Sequence, residues 1–198
     1  MPKLIALMSM SLDGFVADPN DGVAEVFDWY MSSGNVAIHV GGSDPMTFNV
    51  SQPSADHLHG LISELGAMLA GRRTFDKAQG WNGNHAWGPA FVLTHKIPDG
   101  WPRPNSTVHF VTEGGIESAV KQAKAAASGK SVGVHGADTI QQCLNAGLLD
   151  EIQVDVAAVL LGSGIRLFDH IKDAPLVLGS PRVIAGNGVT HLRYPVKR

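Results

Sequence analysis

The tightest constraint on this chain lies between residues 131 and 164. Ser131-Val-Gly-Val-His135 has the length and apolar density of a strand and runs into Gly136. Ile140, Cys143, Leu144 and Gly147 then share one helical face, and the largely apolar run from Val154 to Leu161 ends at Gly162-Ser-Gly164. Strand, glycine turn, amphipathic helix and strand in that order make a βαβ unit. This is the form taken by the centre of a nucleotide-binding α/β domain.

The rest of the chain extends that pattern. Lys3 to Ser11 is nearly all apolar without alternation, which predicts a central strand covered on both faces. Leu58, Leu61, Ile62 and Leu65 fall at helical spacing after Ser54, the expected N-cap. Ala67–Ala70, Ala90–Thr94 and Thr107–Thr112 read as further strands; Ile116, Ala119, Val120 and Ala123 mark a helix that Gly129 stops. Leu176–Leu178 and Thr190–Tyr194 flank Gly186-Asn-Gly188, a hairpin signal. Residues 27–53 read as mostly irregular, with a short strand at Val36–Val40 broken by Gly41–Pro45. The fold class expected is α/β: a mainly parallel mixed sheet, helices on both faces and an antiparallel C-terminal edge hairpin. At 198 residues, positions 1–198 are expected to make one domain.

Composition narrows the partners. A net charge of −3 and no run of Lys or Arg argue against nucleic acid. No apolar run approaches the roughly 20 residues that span a bilayer, and Ser9, Ser11 and Asp13 interrupt any signal-peptide layout. A single cysteine, Cys143, excludes an intramolecular disulfide and suits the cytoplasm. It shares an apolar helix face and reads as core.

Two segments carry chemistry. A helix opening at Gly136 offers unpaired N–H groups to an anion, and Asp138 to Gln141 has capping-box spacing. Many helices start this way and bind nothing. Gly71-Arg72-Arg73-Thr74 follows a strand and opens a helix, so two guanidinium groups are expected to converge there, although a solvated helix start reads equally well. Neither Gly-x-Gly-x-x-Gly, nor a P-loop, nor a Gly-x-Ser-x-Gly elbow occurs. His57 and His59, two apart on a helix, point away from each other, and no metal set is expected. Asp13 is either a turn residue or a site residue, and Asp56 either a helix-start carboxylate or an acid in the site. Trp29, Tyr30, Trp81 and Trp87 fall in segments read as irregular and line either a substrate pocket or a dimer contact.

Taken in order, Ser11–Ala17, Gly71–Phe75, Val92-Leu-Thr94-His95, Gly136–Ile140 with Gly147–Glu151, and Val159–Gly164 followed by Leu167-Phe168 resemble the reductase domain of the bifunctional riboflavin-biosynthesis deaminase-reductases. That domain has the dihydrofolate reductase-like fold, and the resemblance runs from residue 4 to about 194. It implies an NADPH-dependent reductase of a small pterin- or pyrimidine-like heterocycle, working as a homodimer. It also implies that Gly71, Arg72, Arg73 and Thr74 hold the pyrophosphate and 2′-phosphate, and that Thr94 and His95 flank the adenine ribose. Gly136, Ala137, Asp138 and Thr139 would contact the pyrophosphate and nicotinamide side, with the loop from Leu12 to Val16 over the nicotinamide. Asp13 and Asp56 are the candidate catalytic acids. Ala137 stands where the family has a second glycine, and its methyl is expected to crowd a phosphate. The deaminase zinc motif is absent from the sequence. The alternative function is a nucleotide-binding module or dimeric scaffold without turnover.

Overall fold

The computed structural model describes residues 2–40 and 46–197, so the expected break at Gly41–Pro45 lies outside the described residues. In chain order the elements are β1 (Leu4–Ser11), β2 (Phe15–Ala17), α1 (Ala24–Ser32), β3 (Val36–Val40), β4 (Met46–Val50), α2 (Gln52–Glu64), β5 (Leu65–Gly71) and α3 (Arg72–Lys77). After a 3₁₀ turn come β6 (Ala90–Leu93), β7 (Val108–Val111), α4 (Gly115–Ala126), β8 (Ser131–His135), α5 (Ala137–Asn145), β9 (Glu151–Ala157), β10 (Ile165–Arg166), β11 (Arg182–Ala185) and β12 (Val189–Pro195).

Eight strands form one sheet in the order β11-β12-β9-β1-β8-β5-β6-β7. From β9 to β7 every neighbour is parallel, and β12 and β11 close one edge antiparallel. The expected α/β architecture is present. β1 is central because both its edges are used, by β8 and β9, and its period of two feeds both faces of the sheet. Leu4 and Ala6 pack with Ile140 and Cys143 under α4 and α5, while Ile5 and Leu7 pack with Leu61 and Met68 under α2. Leu4 and Ile5 are fully buried, worth about 1.5–3 kcal/mol each. Among the described residues no helix is long and apolar enough to cross a membrane.

Three expectations need correction. Residues 27–53 are not mostly irregular: α1 buries Val26, Trp29 and Tyr30 on one face, and β3 pairs antiparallel with β4, Ile38 opposite Phe48. The hairpin at Gly186–Gly188 joins β12 to Arg182–Ala185, not to Leu176–Leu178, of which only Leu178 makes an isolated bridge to Val196. Ser54 lies inside α2, whose N-cap is Ser51, because Pro53 suits the first helical turn and starts the helix earlier.

Cys143 is buried in the core under α5, and burial pushes its thiol up to about 12. The native protein is therefore expected to resist aromatic disulfide reagents, with a full equivalent of thiol released only on denaturation.

Candidate active site

β5 and β8 lie side by side, Leu69 against Val134 and Ala70 against His135. From these neighbours the chain leaves in opposite directions. α3 follows β5 and packs Phe75 with Met68 on one face; α5 follows β8 and packs Ile140 on the other. Such a switch opens a crevice beyond the strands' carboxyl ends, where open α/β sheets take their ligands. The two turns interlock: a Cβ at Gly71 would stand 2.7 Å from Thr139 Oγ1, and one at Gly136 would collide with Thr74 Oγ1. Gly136 also has φ +89°, which suits glycine. The sequence's two separate segments, Gly71–Thr74 and Gly136–Thr139, thus make one patch.

α5 opens at this patch without a side-chain cap, which directs its first N–H groups at the crevice. The expected capping box does not form. The helix begins at Ala137, so Asp138 sits in its first turn and accepts from Gln142 Nε2 at 2.6 Å, while Gln141 donates to the Leu167 carbonyl. Ala137 is buried among core residues, so its methyl turns inward and does not crowd the crevice as expected.

The two arginines diverge rather than converge, because consecutive helical residues do not share a face. Arg72 Nε donates to Asp76 at 2.8 and 2.9 Å and its Nη1 to the Lys96 carbonyl at 3.2 Å. That carbonyl also accepts from Thr94 Oγ1 at 2.9 Å, so Arg72 leans over the end of β6, beside exposed His95. Arg73 instead pairs with Asp21 at 2.6 Å, and Lys77 lies 3.6 Å from the same carboxylate. The Arg73 hydrogen bond is the main reason Asp21 sits below its ordinary range.

The candidate acids are not assembled together. Asp13, after β1, accepts from Ser11 Oγ at 2.5 Å and from the backbone N–H groups of Leu161 and Gly162 at 3.1 and 2.7 Å. The Ser11 hydroxyl, with the Gly162 and Leu161 amides, lowers its carboxyl below the usual value against the opposing effect of desolvation. Asp13 therefore stays ionised and ties the loop after β9 to the turn after β1. Neighbouring Leu12 is 69% exposed. Asp56 is exposed and in the second turn of α2, where it accepts from Gln52 Nε2 at 2.8 Å. It lines a cavity of about 150 Å³ with His57, Arg182, His191 and Arg193.

Sequence reasoning missed a buried polar row. Ser9, Asp155 and His191 face one another across β1, β9 and β12. His191 Nδ1 donates to Asp155 at 2.7 Å, Ser54 Oγ lies 2.9 Å from His191 Nε2, and Trp29 Nε1 donates to Ser9 Oγ at 3.1 Å. Burial pushes the Asp155 carboxyl up, but His191 and His57 outweigh it and hold the group below its ordinary value. The signal was present in Gln153 and Asp155, alternating with Ile152, Val154 and Val156. Beside Gly136, His135 packs edge-on against Trp87, ring centroids 5.8 Å apart, and His85 lies 6.1 Å from His135. Burial pushes His85 down to about 3 and His135 to about 4. Trp87 thus stands at the crevice, whereas Trp29 and Tyr30 are core residues of α1.

A family model described as the RibD C-terminal domain matches residues 2–194. Among solved structures, a protein from Shewanella sp. PV-4 provisionally assigned to riboflavin biosynthesis is 24% identical, with 99% of each chain covered and a TM-score of 0.67. A diaminohydroxyphosphoribosylaminopyrimidine deaminase/5-amino-6-(5-phosphoribosylamino)uracil reductase from Thermotoga maritima is 10% identical at a TM-score of 0.60; 99% of this chain spans 57% of that one. A pyrimidine reductase-like protein from Corynebacterium diphtheriae is 17% identical at a TM-score of 0.57, with 100% and 92% covered. These likenesses show the shared dihydrofolate reductase-like fold. No curated protein matches the sequence.

Two outcomes follow from the geometry. Gly71→Ala is expected to lower the melting temperature, and adding Thr139→Ala is expected to recover most of the loss, a non-additivity that a double-mutant cycle measures. Below about pH 6.5 the unfolded chain protonates His85 and His135 while the folded chain does not, since their folded values lie near 3 and 4. Stability should therefore fall as pH drops from about 6.5 to 4, by up to about 1.4 kcal/mol per pH unit for each histidine. Urea denaturation across that range should show a shallower slope for His135→Gln.

Proposed function

Because the chain belongs to the RibD C-terminal domain family, we propose that it is an NADPH-dependent reductase acting on a small heterocycle, pyrimidine-like in preference to pterin-like. The observation that carries this reading is the alignment of the ends of β1, β8, β5 and β6, four neighbours in the sheet. Their Leu12–Asp13 loop, Gly136 turn, Gly71 turn and Thr94–His95 segment make a continuous line spanning three strand spacings, about 14 Å. That line has the dimensions of an extended dinucleotide. The names of the Thermotoga and Corynebacterium proteins favour a pyrimidine.

The residues present fit the cofactor. The uncapped start of α5 presents N–H groups to a pyrophosphate, and glycine at 71 and 136 stands where a Cβ is excluded. Arg72, whose Nη1 donates to the Lys96 carbonyl beside His95, would hold a 2′-phosphate. NADPH, when bound, supplies the hydride. Asp13 acts as a positioning residue: its ionised carboxylate holds Leu161 and Gly162, and so shapes the loop beneath exposed Leu12. Trp87 and neutral His135 flank Gly136, where a flat ring can stack and the crevice is kept dry.

A second reading, a nucleotide-binding module without turnover, draws on the commitment of Asp13 to backbone amides and on the exposure of Asp56. Titration with NADPH and NADH, followed by screening of pyrimidines and pterins for NADPH oxidation, separates the two. The reductase reading expects NADPH preference and turnover of at least one heterocycle. Tight NADPH binding with no turnover supports the module, and no binding defeats both. Arg72→Gln should weaken NADPH by about 10- to 100-fold and NADH little, the value of hydrogen bonds to a charged group.

A further inference from the structure

We propose that His57, Asp155 and His191 form a three-ligand site for a divalent transition-metal ion of the zinc class, between α2 and the strands β9 and β12. One ligand atom from each residue lies within 4.8 Å of the others. His57 Nε2 is 3.7 Å from Asp155 Oδ1, and His191 Nδ1 is 2.7 Å from the same oxygen. Ligands about 2.0–2.2 Å from a tetrahedral ion stand roughly 3.2–3.6 Å apart, so shifts of about an ångström convert this arrangement into coordination. The imidazoles are stacked, centroids 4.3 Å apart and planes 29° apart, and each turns a nitrogen to the same carboxylate.

Three further features favour an ion. The His57 side chain is only 8% exposed, and its Nε2 is buried without a hydrogen-bond partner although it is aimed at Asp155. An orphaned buried nitrogen is costly, and a metal satisfies it. Ser54 Oγ sits on His191 Nε2, where it can accept the N–H that a metal-ligating histidine directs at its outer partner. The cavity beside His57 and His191 gives the ion access and room for a water as fourth ligand; it carries Asp56 and Glu64 as well as arginines. Of these, Arg193 is neutralised by Glu64, with Nη1 to Oε2 at 2.7 Å, and by Glu151. One carboxylate and two neutral imidazoles leave a single positive charge on the bound divalent ion, and the ion would clamp α2 to the antiparallel edge.

The test is titration of the metal-stripped full chain with Co²⁺, followed by displacement with Zn²⁺. One Co²⁺ per chain, with the intense visible bands of a four- or five-coordinate site, is expected, and Zn²⁺ should abolish the bands and raise the melting temperature. Ser54→Ala should weaken binding by about 10- to 100-fold, and His57→Gln by at least as much. No saturable uptake, the pale spectrum of hydrated Co²⁺, or undiminished affinity in His57→Gln overturns the proposal. If His57→Gln does not fold, the wild-type spectrum and stoichiometry still decide.

Discussion

The parallel pairing of β5 with β8 is the contact on which the crevice depends, because it brings together two turns that lie 65 residues apart in sequence, at Gly71 and Gly136. Slipping that register by one residue would send Leu69 and Val134 to the wrong face and part Gly71 from Thr139. The switch in chain direction, the anion-ready start of α5 and the placement of Arg72 against β6 all follow from this pairing. Core packing therefore sets the position of polar groups: Leu69 and Val134 pack in one cluster and Met68 in the cluster on the opposite face, and the turns inherit that register.

The elements that build the sheet's centre were legible in the sequence because their burial is extreme. The first half of β1, and the run from β8 through α5, carry apolar residues on nearly every inward position. The site turns were legible for the same reason, since each follows directly on such a strand. What escaped was governed by tertiary context. α1 has no capping side chain at Val23, and its Trp29 and Tyr30 declare themselves as core only once they stack on each other under β9 and β12. β11 is an exposed edge strand, with Val183 57% accessible, so its partner could not be read from burial. The divergence of Arg72 and Arg73 depends on Asp76 and Asp21, one in the next turn of the helix and the other 52 residues upstream.

The polar row beneath α1 and α2 shows a different balance. A carboxylate buried like Asp155 is weak evidence for stability, since desolvation offsets much of its attraction to a partner. Its geometry nonetheless discriminates. Asp155 and His191 satisfy each other only when β9 and β12 are in register, Ser54 joins them only when α2 is seated, and Ser9 takes the Trp29 indole N–H only when α1 is seated. The apolar faces tolerate some rearrangement, whereas this row does not.

The central position of β1 also bears on how the protein is made. Leu4–Ser11 is translated more than 100 residues before its two neighbours in the sheet, Ser131–His135 and Glu151–Ala157. At a synthesis rate of about 5–20 residues per second, that apolar segment waits several seconds before either partner leaves the ribosome. During the interval it is an unpaired strand with two hydrophobic faces, the kind of segment that chaperones hold and that aggregates when they do not. The strand that organises the finished sheet is thus the one most dependent on protection while the chain is incomplete.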